Sequence, residues 1–342
     1  MNILVTGGNG FIATNFIKLA LSQGNEITSI DNLSYAGSIS NHQLFLNNTA
    51  YTFIKEDIRN NSIYDIIKNN NYDAILNFAA ESHVDRSIHD DTNFISTNIA
   101  GTHNLLNICK NLIHESILKE NFKFIQISTD EVYGSLDSDE SPFTESSILK
   151  PTNPYSASKA SADLLCMSYY KTHKFPVLIT RCTNNYGPYQ HPEKLIPLTI
   201  YRLNNNKQIP IYGSGNQIRD WIYVEDHCTA ILSALKKGKI GQVYNFGGNN
   251  EIKNKVCVEE IICKMNKGLD TEKYIKYVKD RPGHDTRYAI NCSKAKKELS
   301  WEPKVEFEEG INKTLDWYLK NKKWLNAIVT HKNFINWEEK HY

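Results

Sequence analysis

The chain has 342 residues, 40% of them hydrophobic and 23% charged, with 39 basic side chains against 38 acidic ones. That length fits about two domains, and the composition is ordinary for a soluble globular protein. A net charge of +1 gives no global reason to expect a nucleic-acid or membrane partner, and no stretch approaches the roughly 20 apolar residues of a membrane span.

A strand begins at once, at Asn2, with no basic leader before it, so a secretory signal is not expected. In chain order, strand-like runs stand at Ile3–Thr6, Glu26–Asp31, Thr52–Lys55, Ala74–Phe78, Phe122–Ser128 and Val177–Arg181. Helix-like stretches lie between them at Phe11–Ser22, Ile63–Asn69, Phe94–Ile113 and Tyr155–His173. Several strands are near-continuous apolar runs, the pattern of strands covered by helices on both faces. The alternation predicts an α/β fold with a Rossmann-type, doubly wound parallel sheet. Past residue 184 the pattern is broken by Pro188, Pro192, Pro197, Pro210 and the Gly213-Ser-Gly215 turn. Val243–Phe246 is expected to rejoin the sheet. The division that follows is 1–183 plus about 226–249 for a nucleotide-binding domain. A smaller interleaved α/β substrate domain would take about 184–225 plus 250–330. No repeat of solenoid period is present. The runs Asn69–Asn71 and Asn204–Asn206 read as solvated turns. The seven cysteines form no CxxC pair. This argues against a metal site or a disulfide framework, and for reduced thiols in the cytoplasm.

Strand Ile3–Thr6 runs into Gly7-Gly8-Asn9-Gly10-Phe11-Ile12-Ala13. Such glycines let the backbone approach a pyrophosphate while the next helix aims its N-terminal amides at the anion. A glycine triplet alone marks only a tight turn. Here it follows a first strand, opens a helix, and is followed by Asp31 at the end of the second strand. Asp31 is placed to accept from an adenosine ribose and to repel a 2′-phosphate, which favours NAD over NADP. Ala13 stands where many such loops carry a third glycine, a packing position that tolerates it. Asp57 is a candidate neighbour of the adenine, with a loop cap as the alternative. Asn98 or Thr97 is a candidate for orienting the nicotinamide or the active-site helix, with a capping role competing.

Tyr155 and Lys159 are four apart and share a helical face. A nearby ammonium is expected to lower the tyrosine, so that it can take a hydroxyl proton while hydride leaves the same carbon. The next notable residues are Ser128-Thr129-Asp130-Glu131. Neighbours on a strand point to opposite faces, so both carboxyls reach one cavity only if extension ends there. Two close carboxyls do not ionise independently, and one can serve as acid while the other serves as base. An ordinary acidic turn is the alternative.

Taken together, Gly7–Ala13, Asn77–Ser87, Ser128–Gly134, Tyr155–Lys159, Asn184–Pro188 and Arg281–Asp285 resemble the extended short-chain dehydrogenase/reductase family, over roughly residues 1–320. Within it the resemblance is to the nucleotide-sugar 4,6-dehydratases. 4-Epimerases lack the Asp-Glu pair, and UDP-glucuronate decarboxylases carry Ser where Asp130 stands. UDP-glucose 4,6-dehydratases share Thr-Asp-Glu, but Pro192–Pro197 and Ile218–His227 are more similar to the enzymes acting on dTDP-glucose.

The resemblance implies a lyase that uses NAD without net consumption, with Thr129, Asp130, Glu131, Tyr155 and Lys159 catalytic. It implies cofactor contacts from Gly7, Gly10, Phe11, Ile12, Asp31, Asn32, Asp57, Ile58, Ala79, Ala80, Asn98, Tyr155, Lys159 and Asn184. Substrate contacts would come from Ser82, His83, Thr129, Asn185, Lys194, Leu195, Pro197, Tyr212, Arg219, Asn254, Arg281, His284 and Tyr288. Around Asn254 the sequence departs from the family pattern. His83 reads equally as a satisfied core histidine. A homodimer through a four-helix bundle of Phe94–Ile113 and Tyr155–His173 is implied as well. Burial within one chain would stripe those helices in the same way.

Overall fold

The computed structural model describes residues 1–265 and 270–341. The first half runs β1 (Asn2–Thr6), α1 (Phe11–Ser22), β2 (Glu26–Asp31), α2 (Ile39–Gln43), β3 (Tyr51–Lys55), α3 (Ile63–Lys68), β4 (Ala74–Asn77), α4 (Val84–His89) and α5 (Thr92–Phe94). A π-helical segment, Ile95–Gly101, leads into α6 (Thr102–His114) and β5 (Lys123–Thr129). A 3₁₀ turn, Asp130–Tyr133, precedes α7 (Pro154–His173) and β6 (Val177–Cys182). The remainder runs β7 (Asn184–Tyr186), α8 (Leu195–Asn204), β8 (Ile209–Tyr212), β9 (Ile218–Tyr223), α9 (Val224–Lys237), β10 (Val243–Phe246), β11 (Glu251–Lys253) and α10 (Asn254–Lys264). It closes with β12 (Ile275–Val278), α11 (Ser293–Leu299), α12 (Phe307–Lys320), α13 (Lys322–Val329) and α14 (Lys332–His341).

Seven parallel strands form the main sheet in the order β10-β6-β5-β4-β1-β2-β3. Successive residues of its strands feed opposite cores, because side chains alternate across a pleat. Ile3 and Val5 join α1 and α9 on one face, while Leu4, Ile75 and Phe124 join α3, α6 and α7 on the other. Each fully buried aliphatic side chain contributes about 1.5–3 kcal/mol of transfer free energy. Among the polar residues that these strands also carry, three stand in register across the sheet. Thr6 Oγ1 donates to Asn77 Oδ1 (2.6 Å), and Asn77 Nδ2 donates to Gln126 Oε1 (2.9 Å). This buried chain crosses β1, β4 and β5. Strand order reverses between β1 and β4, the switch point where open α/β sheets bind ligands.

A second core gathers α8, α10, α12, α13 and α14 with β8 and β9, around Tyr186, Trp221, Ile261 and Phe334. The sequence pattern past residue 184 was read as irregular. The elements there are short and amphipathic, and they close on one another only in three dimensions. Leu299 and Trp301 pack into the main-sheet core, so the 293–301 stretch lies against the first unit. Two further differences concern helices. The stretch Phe94–Ile113 is broken by the π-helical turns, and α7 starts one residue earlier than expected. Asn153 and Ser156 form a capping box there, with Pro154 in the first turn.

Candidate active site

One cleft lies along the C-terminal ends of β1, β2, β4, β5 and β6. Its first part is glycine-built. Gly7 has φ +66°, and a Cβ there would come within 2.7 Å of the Ala79 backbone. Gly10, without a side chain to cap α1, leaves the first-turn amides facing the cleft. Asp31 ends β2 with its carboxylate held by the amides of Asn9 (3.0 Å) and Leu33 (2.7 Å), and burial raises its pKa. A Cβ on Gly37 would sit 2.6 Å from that carboxylate, so any larger residue there would displace it. Asp57 is fixed by Arg59 and Asn32, with its pKa lowered to about 2, chiefly by the Arg59 hydrogen bonds. Phe11, Ile12, Asn32, Ile58, Ala79, Ala80 and Asn184 border the same cleft. The donor amides, the close backbone approach and the acidic residue beyond the second strand fit a dinucleotide with an unphosphorylated ribose.

The second part holds the titratable groups. Strand β5 ends at Thr129, where the backbone leaves extension for the 3₁₀ turn; Thr129 Oγ1 accepts from the Glu131 amide (3.3 Å) and donates to Asp130 Oδ1 (3.2 Å). That break lets two adjacent side chains face one cavity. Asp130 and Glu131 both border it together with Tyr155 and Lys159. Asp130 Oδ2 and Glu131 Oε2 are buried without a hydrogen-bond partner among the described residues.

Their surroundings differ in sign. Burial pushes the Asp130 carboxyl well above its ordinary range, and the charges of Glu131 and Asp220 add to that. Burial raises Glu131 as well, less far, because Arg281, Lys194 and Arg219 oppose it. Both carboxyls are held above their ordinary range, and Asp130 is the one more firmly kept protonated.

Tyr155 differs from expectation. Burial, with the Glu131 charge beside it, drives its pKa well up, and only the Thr129 hydroxyl opposes this notably. Lys159 donates to the Ile127 carbonyl (2.7 Å); burial lowers its own pKa, with Asp163 pulling the other way. In the protein alone, desolvation sets the Tyr155 shift.

Other candidates fall in two places. Ser82, Asn185 and Lys194 border the cleft, Lys194 Nζ donating to the Ser82 carbonyl (2.9 Å) and Asn185 Oδ1 accepting from His227 Nδ1 (2.8 Å). Arg219, Arg281, Tyr212, His284 and Tyr288 do not border it but stand beyond Glu131 as a second tier. Arg281 donates to Asp85 (3.0 Å), as does Tyr212 (3.0 Å), and Arg219 donates to the Asp285 carbonyl (2.9 Å) and covers the Tyr288 ring. His284 pairs with Asp280 (2.6 Å), and Tyr288 donates to Asp285.

Five assignments need correction. Leu195 and Pro197 lie in the first turn of α8 and do not border the cleft; Leu195 packs against the second core and Pro197 is buried. Asn254 starts α10 and does not border the cleft; the residue before it, Lys253, pairs with Ile218 on the strand that carries Arg219. His83 is a buried structural histidine, near the Glu193 carbonyl and edge-on to Trp337, with its pKa lowered to about 4 by burial. Asn98 lies behind the wall; it bonds Ser158 (2.8 Å) and both backbone groups of Glu81, so it braces α7, while Thr97 reaches the cleft.

Sequence reading missed Glu193, Glu81 and Cys182, all on the cleft. Glu193 is buried and accepts from Arg86 (3.1 Å), with its pKa lowered to about 2 despite burial by His83, His191 and Arg86. Its place beside Lys194 was the available signal. All seven cysteines are free. Among the described residues no cluster of metal-binding side chains occurs, and no helix is long and apolar enough to cross a membrane.

A family model described as GDP-mannose 4,6 dehydratase matches residues 4–314. A dTDP-glucose 4,6-dehydratase of Haemophilus influenzae is 47% identical over 334 residues, covering 94% of this chain and 98% of its own. The crystal structure of dTDP-glucose 4,6-dehydratase from Bacillus anthracis in complex with NAD is 46% identical and superposes with a TM-score of 0.87, over 96% of this chain and 99% of that one. A double mutant of the Streptomyces venezuelae dTDP-glucose 4,6-dehydratase, with NAD and DAU bound, is 37% identical with a TM-score of 0.90, over 96% and 100%.

Proposed function

The chain belongs to the GDP-mannose 4,6-dehydratase family, and within it we propose that it is an NAD-dependent dTDP-glucose 4,6-dehydratase, converting dTDP-glucose to dTDP-4-keto-6-deoxyglucose and water. The observation that carries this reading is the pair Asp130 and Glu131 facing one cavity with Tyr155, Asp130 beside the carboxylates of Glu131 and Asp220 and Glu131 beside the cations Arg281, Lys194 and Arg219. NAD, held along Gly7, Gly10 and Asp31, accepts a hydride from C4 of the sugar and returns it to C6.

The protein's own part runs as follows. Thr129 and Tyr155 hold the 4-oxygen, and Tyr155 takes its proton. Because burial keeps the phenol protonated, Tyr155 needs positive charge nearby to act as a base, and Lys159 is the cation one turn along α7. Once C4 is a ketone, the proton on C5 becomes acidic. Glu131, steadied as a carboxylate by the cations beyond it, removes that proton. Asp130, kept protonated by burial and its acidic neighbours, donates to the departing 6-hydroxyl. Arg219, Arg281 and Lys194 are the groups for the diphosphate, since guanidinium forks suit phosphate oxygens.

Residues 1–183 plus about 226–249 serve the cofactor in this reading, and about 184–225 plus 250–330 the nucleotide sugar, apart from the 293–301 stretch. Ile95 and Leu164, 52% and 61% exposed on the π-helical segment and α7, support a homodimer through a four-helix bundle. The free thiols support a cytoplasmic location.

The test is to incubate the protein with dTDP-glucose in heavy water and analyse the sugar by NMR, with UDP-glucose as a parallel arm. The reading requires a 6-deoxy-4-ketose with deuterium at C5, formed faster from dTDP-glucose. Inversion at C4 with C5 unlabelled would mean an epimerase, and faster turnover of UDP-glucose would move the base preference.

A further inference from the structure

The two halves of the chemistry sit on different elements. Tyr155 and Lys159 are on α7, whereas Asp130 and Glu131 are on the turn after β5. These pieces act on neighbouring carbons of one sugar, so their relative position must be held closely.

A buried polar chain joins them. Tyr155, Lys159 and Asp163 follow one another at helical spacing on one face of α7. Asp163 Oδ2 accepts from Arg181 Nε at 2.9 Å, with both side chains buried. Arg181 Nη1 donates to Tyr133 Oη (2.9 Å), and the guanidinium carbon lies 4.8 Å from the centre of the Tyr133 ring. Tyr133 is the last residue of the Asp130–Tyr133 turn and is only 1% exposed. Its hydroxyl donates to Asn245 Oδ1 on β10 (2.9 Å), and Phe143 stacks on its ring. Strand register sets Arg181 opposite Ser128, one residue before Thr129. The other Asp163 oxygen is buried without a partner among the described residues, and its charge favours the Lys159 ammonium. A buried ion pair is weak evidence for stability, since an apolar pair of the same volume often packs as well; what it fixes is direction. Arg181 suits that role because its planar fork serves two partners at once.

We propose that Arg181 is a positioning residue: through Asp163 and Tyr133 it locks the acid–base turn to the helix that carries Tyr155 and Lys159. The inference rests on the dehydratase reading. It makes elimination, which needs both elements in register, more sensitive to this chain than oxidation, which needs α7 and Thr129 alone.

The test compares two steps in Tyr133→Phe, which removes only the hydroxyl, and in Arg181→Lys, which keeps the charge but not the fork. Substrate-dependent cofactor reduction reports oxidation, and product formation with C5 deuterium uptake reports elimination. Tyr133→Phe should keep the oxidation rate and KM near wild type, lose elimination by roughly 10- to 100-fold, and accumulate reduced cofactor. Arg181→Lys should show the same split, more strongly. If Tyr133→Phe is folded and lowers both steps alike, or lowers only the melting temperature, Arg181 is scaffold and the proposal fails. Because Tyr133→Phe decides this by itself, a poorly folded Arg181→Lys does not blunt the test. If wild type gives no 6-deoxy-4-ketose, the dehydratase reading fails instead.

Discussion

Replacing Gly7 by alanine isolates how the backbone shapes the cofactor cradle. Gly7 has φ +66°, and an added Cβ would lie 2.7 Å from both Ala79 Cα and Ala79 N. The left-handed conformation costs an L-residue about 1–2 kcal/mol. The contact is with backbone, so it cannot be relieved by turning a side chain, and overpacking of this kind costs about 1–3 kcal/mol more. Gly24 provides the control: its φ is +75°, yet nothing lies within 4 Å of an added Cβ. Gly24→Ala should therefore show only the conformational cost of about 1–2 kcal/mol, and Gly7→Ala about 2–5 kcal/mol. Ala79 borders the cleft, so the Gly7 strain displaces a cofactor-facing wall. If the whole clash appears in binding, NAD affinity falls roughly 5- to 150-fold, while Gly24→Ala binds normally. Chemical denaturation and calorimetric NAD titration on both variants measure these quantities. Equal destabilisation of the two variants, or wild-type NAD affinity in Gly7→Ala, would refute the reasoning.

Three other outcomes are expected. Asp31→Ser should raise NADP affinity relative to NAD by about tenfold or more, as loss of about 1.4 kcal/mol of repulsion would do; an unchanged ratio in competitive titrations would show that Asp31 does not set the preference. Tyr155→Phe should abolish substrate-dependent cofactor reduction while NAD still binds, and retained reduction would remove Tyr155 from the proton transfer. The third concerns acid stability. Burial lowers His227 to about 3, with its Nε2 unpartnered among the described residues. The unfolded chain therefore binds the proton first, so the stability tied to neutral His227 is full above its ordinary pKa near 6.5 and is lost as pH falls toward 3. Glu193, lowered from 4.5 to about 2, loses its contribution in the same direction but lower, between those values. Melting temperatures should fall below pH ~6.5, and His227→Gln should flatten the upper part of that slope; an unchanged slope would assign it to other groups.

The first half of the fold was legible because helix and strand periods there are strong. Phe11–Ser22 and Glu26–Asp31 stand where the apolar pattern set them, and Val243–Phe246 adds to the sheet beside β6. The π-helical segment was not legible, because a wider turn leaves the same apolar stripe; its effect, letting Asn98 reach both Glu81 and Ser158, is tertiary. The second core was hidden for a similar reason, since its strands are three to six residues long and acquire order only by pairing. At the site, motif residues lay where local sequence controls local geometry: the glycine loop, the break after Thr129 and the helical pair on α7. Arg181 carries no local pattern; Glu193 stands beside Lys194 and Asp163 one turn after Lys159, but only burial beside other charges shows what they do. The Tyr155 shift was misjudged because sequence spacing supplies the ammonium but not the depth of burial, and here depth dominates.

The most direct test of the central claim, that one buried turn supplies both a proton donor and a proton acceptor beside a separate oxidation centre, is a single turnover of Glu131→Gln with dTDP-glucose. The account predicts that bound NAD is reduced and stays reduced, with C5 unlabelled in heavy water and no 6-deoxy sugar released. Full elimination by that variant, or failure to reduce the cofactor at all while substrate and NAD still bind, would contradict it.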